Sequence, residues 1–140
     1  MKESLVGILK LAYEEFKDIT PAFLYHLGRV VGISLYNEIT YKYEPKNIEE
    51  AVNYLKALLA LYGEGIIESV KRVEDGYEIR IRELIECVIQ KRFSLTFGSH
   101  YYRGLLSGFF EKHLGKKVKV VEIECMLKSG DLCTFLIKTY

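Results

Sequence analysis

Residues 122–135 read Glu122-Ile123-Glu124-Cys125-Met126-Leu127-Lys128-Ser129-Gly130-Asp131-Leu132-Cys133-Thr134-Phe135. Strand signals run from Val118 to Leu127 and from Leu132 to Thr139, on either side of Lys128-Ser129-Gly130-Asp131, which marks a hairpin. With Gly130 in the left-handed position of a three-residue loop, Leu127 pairs with Asp131 and Cys125 with Cys133. Cross-strand partners hold their β-carbons ~4.5–5.5 Å apart, wide for a relaxed disulfide and suited to two thiolates on one metal ion. Glu122 precedes Cys125 by three residues, so in a flat strand it points to the opposite face, and a bulge or strong twist must bring it round. The same spacing fits a second reading, in which both cysteines are small buried hydrophobes and Glu122 is a solvated strand residue.

Outward from this hairpin, Gly98 and Ser99 open a helix that carries Tyr102, Leu105, Leu106, Phe109 and Phe110 and stops at Gly115. Further upstream, β-branched residues from Ile66 to Val73 lead into Asp75-Gly76. Tyr77, Ile79 and Ile81 then alternate with Glu78, Arg80 and Arg82, which predicts another hairpin. Three helices precede it. Leu5, Ile8, Leu9, Ala12, Tyr13 and Phe16 recur at helical steps over Glu3 to Lys17. Thr20 and Pro21 suit the cap and first position of a second helix that runs to about Tyr41. Asn47 and Glu50 have capping-box spacing ahead of a stripe formed by Ala51, Tyr54, Leu55, Leu58, Leu59 and Tyr62, and Gly63 stops it. The fold class is therefore α+β, with helices packed on an antiparallel sheet of two hairpins.

One domain spanning 1–140 is expected, because no linker, repeat or low-complexity tract divides the chain and its length suffices for a core without disulfide staples. Lys and Arg number 20 against 19 Asp and Glu, for a net charge of +1, so no global field draws in nucleic acid or an acidic membrane. Glu3, Glu14 and Glu15 interrupt the N-terminal apolar residues, which argues against a secretory signal, and no stretch approaches the ~18 apolar residues of a membrane span. Cys87, Cys125 and Cys133 are an odd number in a chain that needs no staples, which fits a reducing compartment, and a cytoplasmic location is expected.

Gly28 and Gly32 on the second helix, and Gly104 and Gly108 on the helix after Ser99, give two small-xxx-small steps that predict close packing against a neighbouring helix or a ligand. Gly63-Glu64-Gly65 precedes a strand and lacks the helix that would hold a phosphate. His26, His100 and His113 have no spacing that specifies a general base, so no catalytic residue is assigned and an enzyme is the weaker reading.

Gly104, Ser107, Gly108, Gly115, Glu122, Cys125, Gly130, Cys133 and Phe135, in that order between Ser99 and Ile137, resemble the vinyl-4-reductase family. This is a group of small-molecule-binding domains found in archaeal proteins, pigment enzymes and aromatic-sensing transcription activators. The resemblance implies a fold similar to that of vesicle-tethering TRAPP subunits, and a homodimer. It also implies zinc held by an upstream cysteine, a glutamate and the two hairpin cysteines. Glu122, Cys125 and Cys133 fall on three of those positions. Ser99 stands where the relatives have the upstream cysteine, which leaves the adjacent His100 as the candidate fourth ligand, while Cys87 reads as a core cysteine. Tyr102, Phe109 and Phe135 are the candidate lining of an apolar pocket between helices and sheet. The leading expectation is a domain that binds a small apolar or aromatic molecule as a sensor or carrier. The alternatives are a dimeric interaction scaffold resembling the TRAPP subunits, or a non-redox subunit of a pigment or cofactor enzyme.

Overall fold

A computed structural model describes residues 2–128 and 130–139, residues 2–6 by their backbone alone. The side chain of Leu5, which opens the first apolar stripe, and Ser129 in the expected loop lie outside the described residues. The chain runs α1 (Lys2–Phe16), a single 3-10 turn, α2 (Thr20–Tyr43), α3 (Ile48–Leu61), β1 (Ile66–Val73), β2 (Gly76–Arg82), α4 (Ile85–Arg92), α5 (His100–Leu114), β3 (Val118–Glu124) and β4 (Leu132–Thr139). The four strands form one antiparallel sheet in the order β1-β2-β4-β3, so the two hairpins join along β2 and β4.

Local chemistry explains most boundaries. Asn47 accepts the Glu50 amide at 2.8 Å and starts α3. Gly115 ends α5 in the left-handed conformation at φ 67°. Thr20 does not cap α2 as expected. It lies inside the helix, and its hydroxyl, fully buried, donates to the Ala12 carbonyl at 2.7 Å, tying α2 to α1.

In α1, Leu9, Ala12 and Tyr13 are buried as the stripe predicts, whereas Ile8 and Phe16 face outward, joining Leu11, Ile19, Phe23, Leu27 and Val30 on an exposed apolar face. The expected close packing of the glycine helices is present: α2 and α5 meet backbone to backbone. A β-carbon added at Gly28 would lie 1.9 Å from the Tyr101 carbonyl oxygen, and one at Gly104 1.9 Å from that of Tyr25; Gly32 and Gly108 repeat the arrangement one turn on. Only glycine permits this approach. α4 occupies part of residues 83–97, where the sequence pattern marks no element.

The last hairpin differs from the expected one in length but not in register. Its final ladder pair is Glu124↔Thr134, in line with the expected Cys125↔Cys133, yet β3 ends there, and Cys125 begins a turn closed by the Lys128 amide donating to the Cys125 carbonyl at 2.9 Å. Gly130 is left-handed as expected, with φ 75°. Between Glu122 and Glu124 the register slips by one residue, which is the bulge the site requires.

Candidate metal centre

The bulge decides which side chains meet. One extra residue in the strand reverses the alternation after it, so Glu122 and Cys125, three apart, come to share a face. Cys133, at the start of β4, lies opposite. The fourth member comes from elsewhere: Cys87, in the first turn of α4. The ligand atoms of Cys87, Glu122, Cys125 and Cys133 all lie within 4.8 Å of one another. Cys87 Sγ is 3.5 Å from Cys133 Sγ and 3.8 Å from Cys125 Sγ, and all three thiols are free and buried. Four donors ~2.3 Å from a tetrahedral ion lie about 3.8 Å apart, so the sulfur spacing is that of a metal site.

The structure thus corrects the reading of Cys87 as an ordinary core thiol and supplies the donor that Ser99 lacks. Ser99 still sits in the group, its hydroxyl 2.8 Å from Cys87 Sγ and 3.9 Å from Cys133 Sγ. His100 lies outside it. Its Nδ1 faces an Arg103 nitrogen at 3.5 Å, because one step along a helix start turns the side chain away from the sulfurs, and burial lowers its pKa.

The four groups share little charge compensation. Burial raises the Glu122 pKa to about 7. Its Oε1 accepts the Ser99 amide at 3.4 Å, but its Oε2 is buried without a partner. Hydrogen bonds from the Cys133 and Cys87 thiols hold Cys125 far below the usual thiol range, and the same contacts raise Cys87 and Cys133. The cluster therefore presents one thiolate bridged by two thiols, beside an orphaned carboxylate oxygen: electron-rich donors without a cation.

The positioning residues escaped the sequence analysis. Glu86 is buried and accepts the Tyr101 and Tyr102 amides at 2.9 and 3.0 Å, so it caps α5 from α4 and Ser99 makes no side-chain cap. Burial raises its pKa to about 8. Gln90 donates to the Gly98 carbonyl at 2.8 Å and accepts the Phe97 amide at 2.8 Å, pinning the loop that leads to Ser99. Glu86 and Gln90 at i, i+4 on a short helix were the available signal, since two polar groups on one face of α4 seek partners from another element.

Tyr102, Phe109 and Phe135 are core residues. Each is at most 2% exposed. The Tyr102 hydroxyl donates to Glu64 at 2.9 Å, and Phe109 meets Tyr36 edge to face. The concavity lies instead beside the cluster. A cleft of about 440 Å³ opens between the start of α5, β3 and the turn after it, and Glu122, Cys125 and Ser99 form part of its wall.

Residues 99–139 match the family model of the vinyl-4-reductase domain. The chain carries a vinyl-4-reductase domain. An uncharacterized protein of Methanocaldococcus jannaschii is 32% identical over 120 residues, covering 84% of this chain, and the chain spans 64% of that relative's length. Three solved structures share the fold. The phenol-responsive sensory domain of the transcription activator PoxR, with phenol, superposes with a TM-score of 0.82 at 13% identity, over 99% of this chain and 74% of that one. A trafficking protein particle complex subunit 3 from Naegleria fowleri, covalently bound to palmitic acid, gives 0.66 at 17% identity, over 99% and 95%. A vinyl-4-reductase family protein of Methanocaldococcus jannaschii gives 0.57 at 24% identity, over 84% and 68%. The family match and the TRAPP-like α+β fold are as the sequence implied.

Proposed function

We propose that this vinyl-4-reductase domain binds a small molecule, as a sensor or carrier, and that a zinc ion bound by Cys87, Glu122, Cys125 and Cys133 forms one wall of the ligand cleft. The observation that carries the reading is the convergence of three sulfurs and an unpartnered carboxylate oxygen at the edge of an open cleft. The donor set fits zinc, since borderline-soft thiolates with one carboxylate complete a tetrahedron. A site closed by four protein ligands is structural. It fastens α4, β3 and the hairpin turn together and leaves recognition to the cleft. The PoxR neighbour is a phenol-responsive sensory domain and the trafficking subunit carries palmitic acid, which supports a small-ligand role for this scaffold.

A homodimer belongs to the same proposal, favoured by Phe16, Phe23, Leu27 and Val30 on the exposed face of the N-terminal helices. So does a cytoplasmic location, favoured by three free thiols and by the finding that no helix among the described residues is long and apolar enough to cross a membrane. The filled interior around Phe109 and Phe135 favours a second reading, a dimeric interaction scaffold.

Native mass spectrometry with a thermal-shift panel of neutral aromatics and organic acids separates the two. The binding domain carries one zinc per chain and is stabilised by some member of the panel. A metal-free chain that no member stabilises, even after growth with added zinc, leaves the scaffold.

A further inference from the structure

The cleft has two unlike walls. Phe97, Val121 and Leu127 give it an apolar side. Phe97 is stacked on Tyr13 with ring centroids 3.6 Å apart, so this wall is anchored to the core. The other side carries Arg103 from α5, Lys119 from β3 and Lys128 from the turn. Among the described residues none of these three cations has a carboxylate within ion-pair distance, although surface cations elsewhere, such as Arg29 and Arg82, do. The Arg103 guanidinium is held by stacking 4.6 Å above the Tyr25 ring, and so is oriented without being neutralised. The carboxylate that also lines the cleft, Glu122, spends its Oε1 on the Ser99 amide and belongs to the thiol cluster.

From this pairing of walls we infer that the cleft takes a small organic anion, a carboxylate with an apolar or aromatic body, whose charged end lies against Arg103, Lys119 and Lys128 and whose body lies on Phe97, Val121 and Leu127. A neutral phenol-like or hydrocarbon molecule leaves three cations unanswered; an inorganic anion leaves the apolar wall wet. An organic acid satisfies both. Arg103 is the discriminating residue, since a planar guanidinium fixed by a ring can meet a carboxylate through two parallel hydrogen bonds. The inference rests on the small-molecule reading above and narrows its ligand class.

Matched probes test it. Titration calorimetry of the zinc-loaded chain with benzoate, benzyl alcohol and inorganic phosphate should show benzoate binding at least about tenfold tighter than either of the others, a difference equivalent to one charge-assisted hydrogen bond. Arg103→Met should weaken benzoate by about tenfold while the chain keeps its zinc and its circular dichroism. Lys119→Ser, on an exposed strand position that cannot disturb the core, should weaken it by a smaller factor, and the preference should shrink with added salt. Benzyl alcohol binding as tightly as benzoate overturns the anion assignment and leaves the small-molecule reading intact. No binding by any probe overturns the assignment and counts against that reading as well. Phosphate equalling benzoate, or Arg103→Met that releases zinc without affecting benzoate, overturns it too, the latter by showing that the cations serve the cluster.

Discussion

Two buried regions of this molecule are closed by opposite means. Where α2 crosses α5, four glycines bring backbone against backbone, and shape alone completes the contact. At the corner where α4 meets β3 and the hairpin turn, three thiols and a carboxylate crowd together with one oxygen unpartnered, and shape completes nothing. The first region is self-sufficient. The second is finished only by a cation, because buried donors of one sign are costly to hold together without one. A rigid helix pair of this kind provides the frame on which an unfinished corner can be kept in geometry.

The largest effect should come from breaking the self-sufficient region. Gly32→Ala places a β-carbon 2.0 Å from the Leu105 carbonyl oxygen, and backbone cannot yield as a side-chain tip can, so α2 and α5 must part. A loss of about 3 kcal/mol or more is expected in urea unfolding, with zinc present or absent. An unchanged midpoint would mean that the helices are not in contact.

Next is the corner. Zinc at a hundredfold excess over its Kd should raise wild-type stability by about 2.7 kcal/mol, and Cys87→Ser should remove most of that gain while changing the zinc-free chain far less. Equal losses with and without zinc would show that Cys87 merely packs.

Glu86 lies on the boundary of the two regions, since it ties α4, which carries Cys87, to the first amides of α5. Glu86→Ala leaves those amides uncapped and should cost about 1–2 kcal/mol. It should also weaken zinc retention. A stability loss with unaltered zinc affinity would separate capping from metal positioning.

The smallest effect is one of pH, remote from the corner. Burial holds His113 below its ordinary pKa of 6.5, and its Nδ1 pairs with the Tyr36 hydroxyl at 2.8 Å. The unfolded chain therefore takes up a proton that the folded chain resists. The stability involved is present above the unfolded pKa and is lost as the pH falls through the lower folded value. His113→Asn should reduce the drop in urea midpoint between pH 7.5 and pH 5.5 measured on the zinc-free chain. An identical drop in the variant would place the acid sensitivity elsewhere.

The two regions also differ in how far the sequence discloses them. Gly28, Gly32, Gly104 and Gly108 recur at helical steps, and such spacing translates directly into one face of a helix. The hairpin turn at Gly130 and the need for a bulge after Glu122 were equally legible, because strand parity is a local property. Cys87 was not, since its partners lie 12 to 46 residues away in sequence and only the docking of α4 on α5 brings it to them. α4 itself is eight residues long, and its buried polar residues Glu86 and Gln90 interrupt the apolar period that announces longer helices. Tyr102, Phe109 and Phe135 show the complementary failure: proximity in sequence to the cysteines placed them near the site, but their side chains point into the core.

Zinc content per chain, measured on the wild type beside Cys87→Ser and His100→Ala, bears most directly on the claim that α4 supplies the fourth donor. The account predicts one zinc per chain in the wild type and in His100→Ala, and a substoichiometric, readily chelated ion in Cys87→Ser. A full complement of zinc in Cys87→Ser with loss in His100→Ala, or no zinc in the wild type after loading, would contradict it.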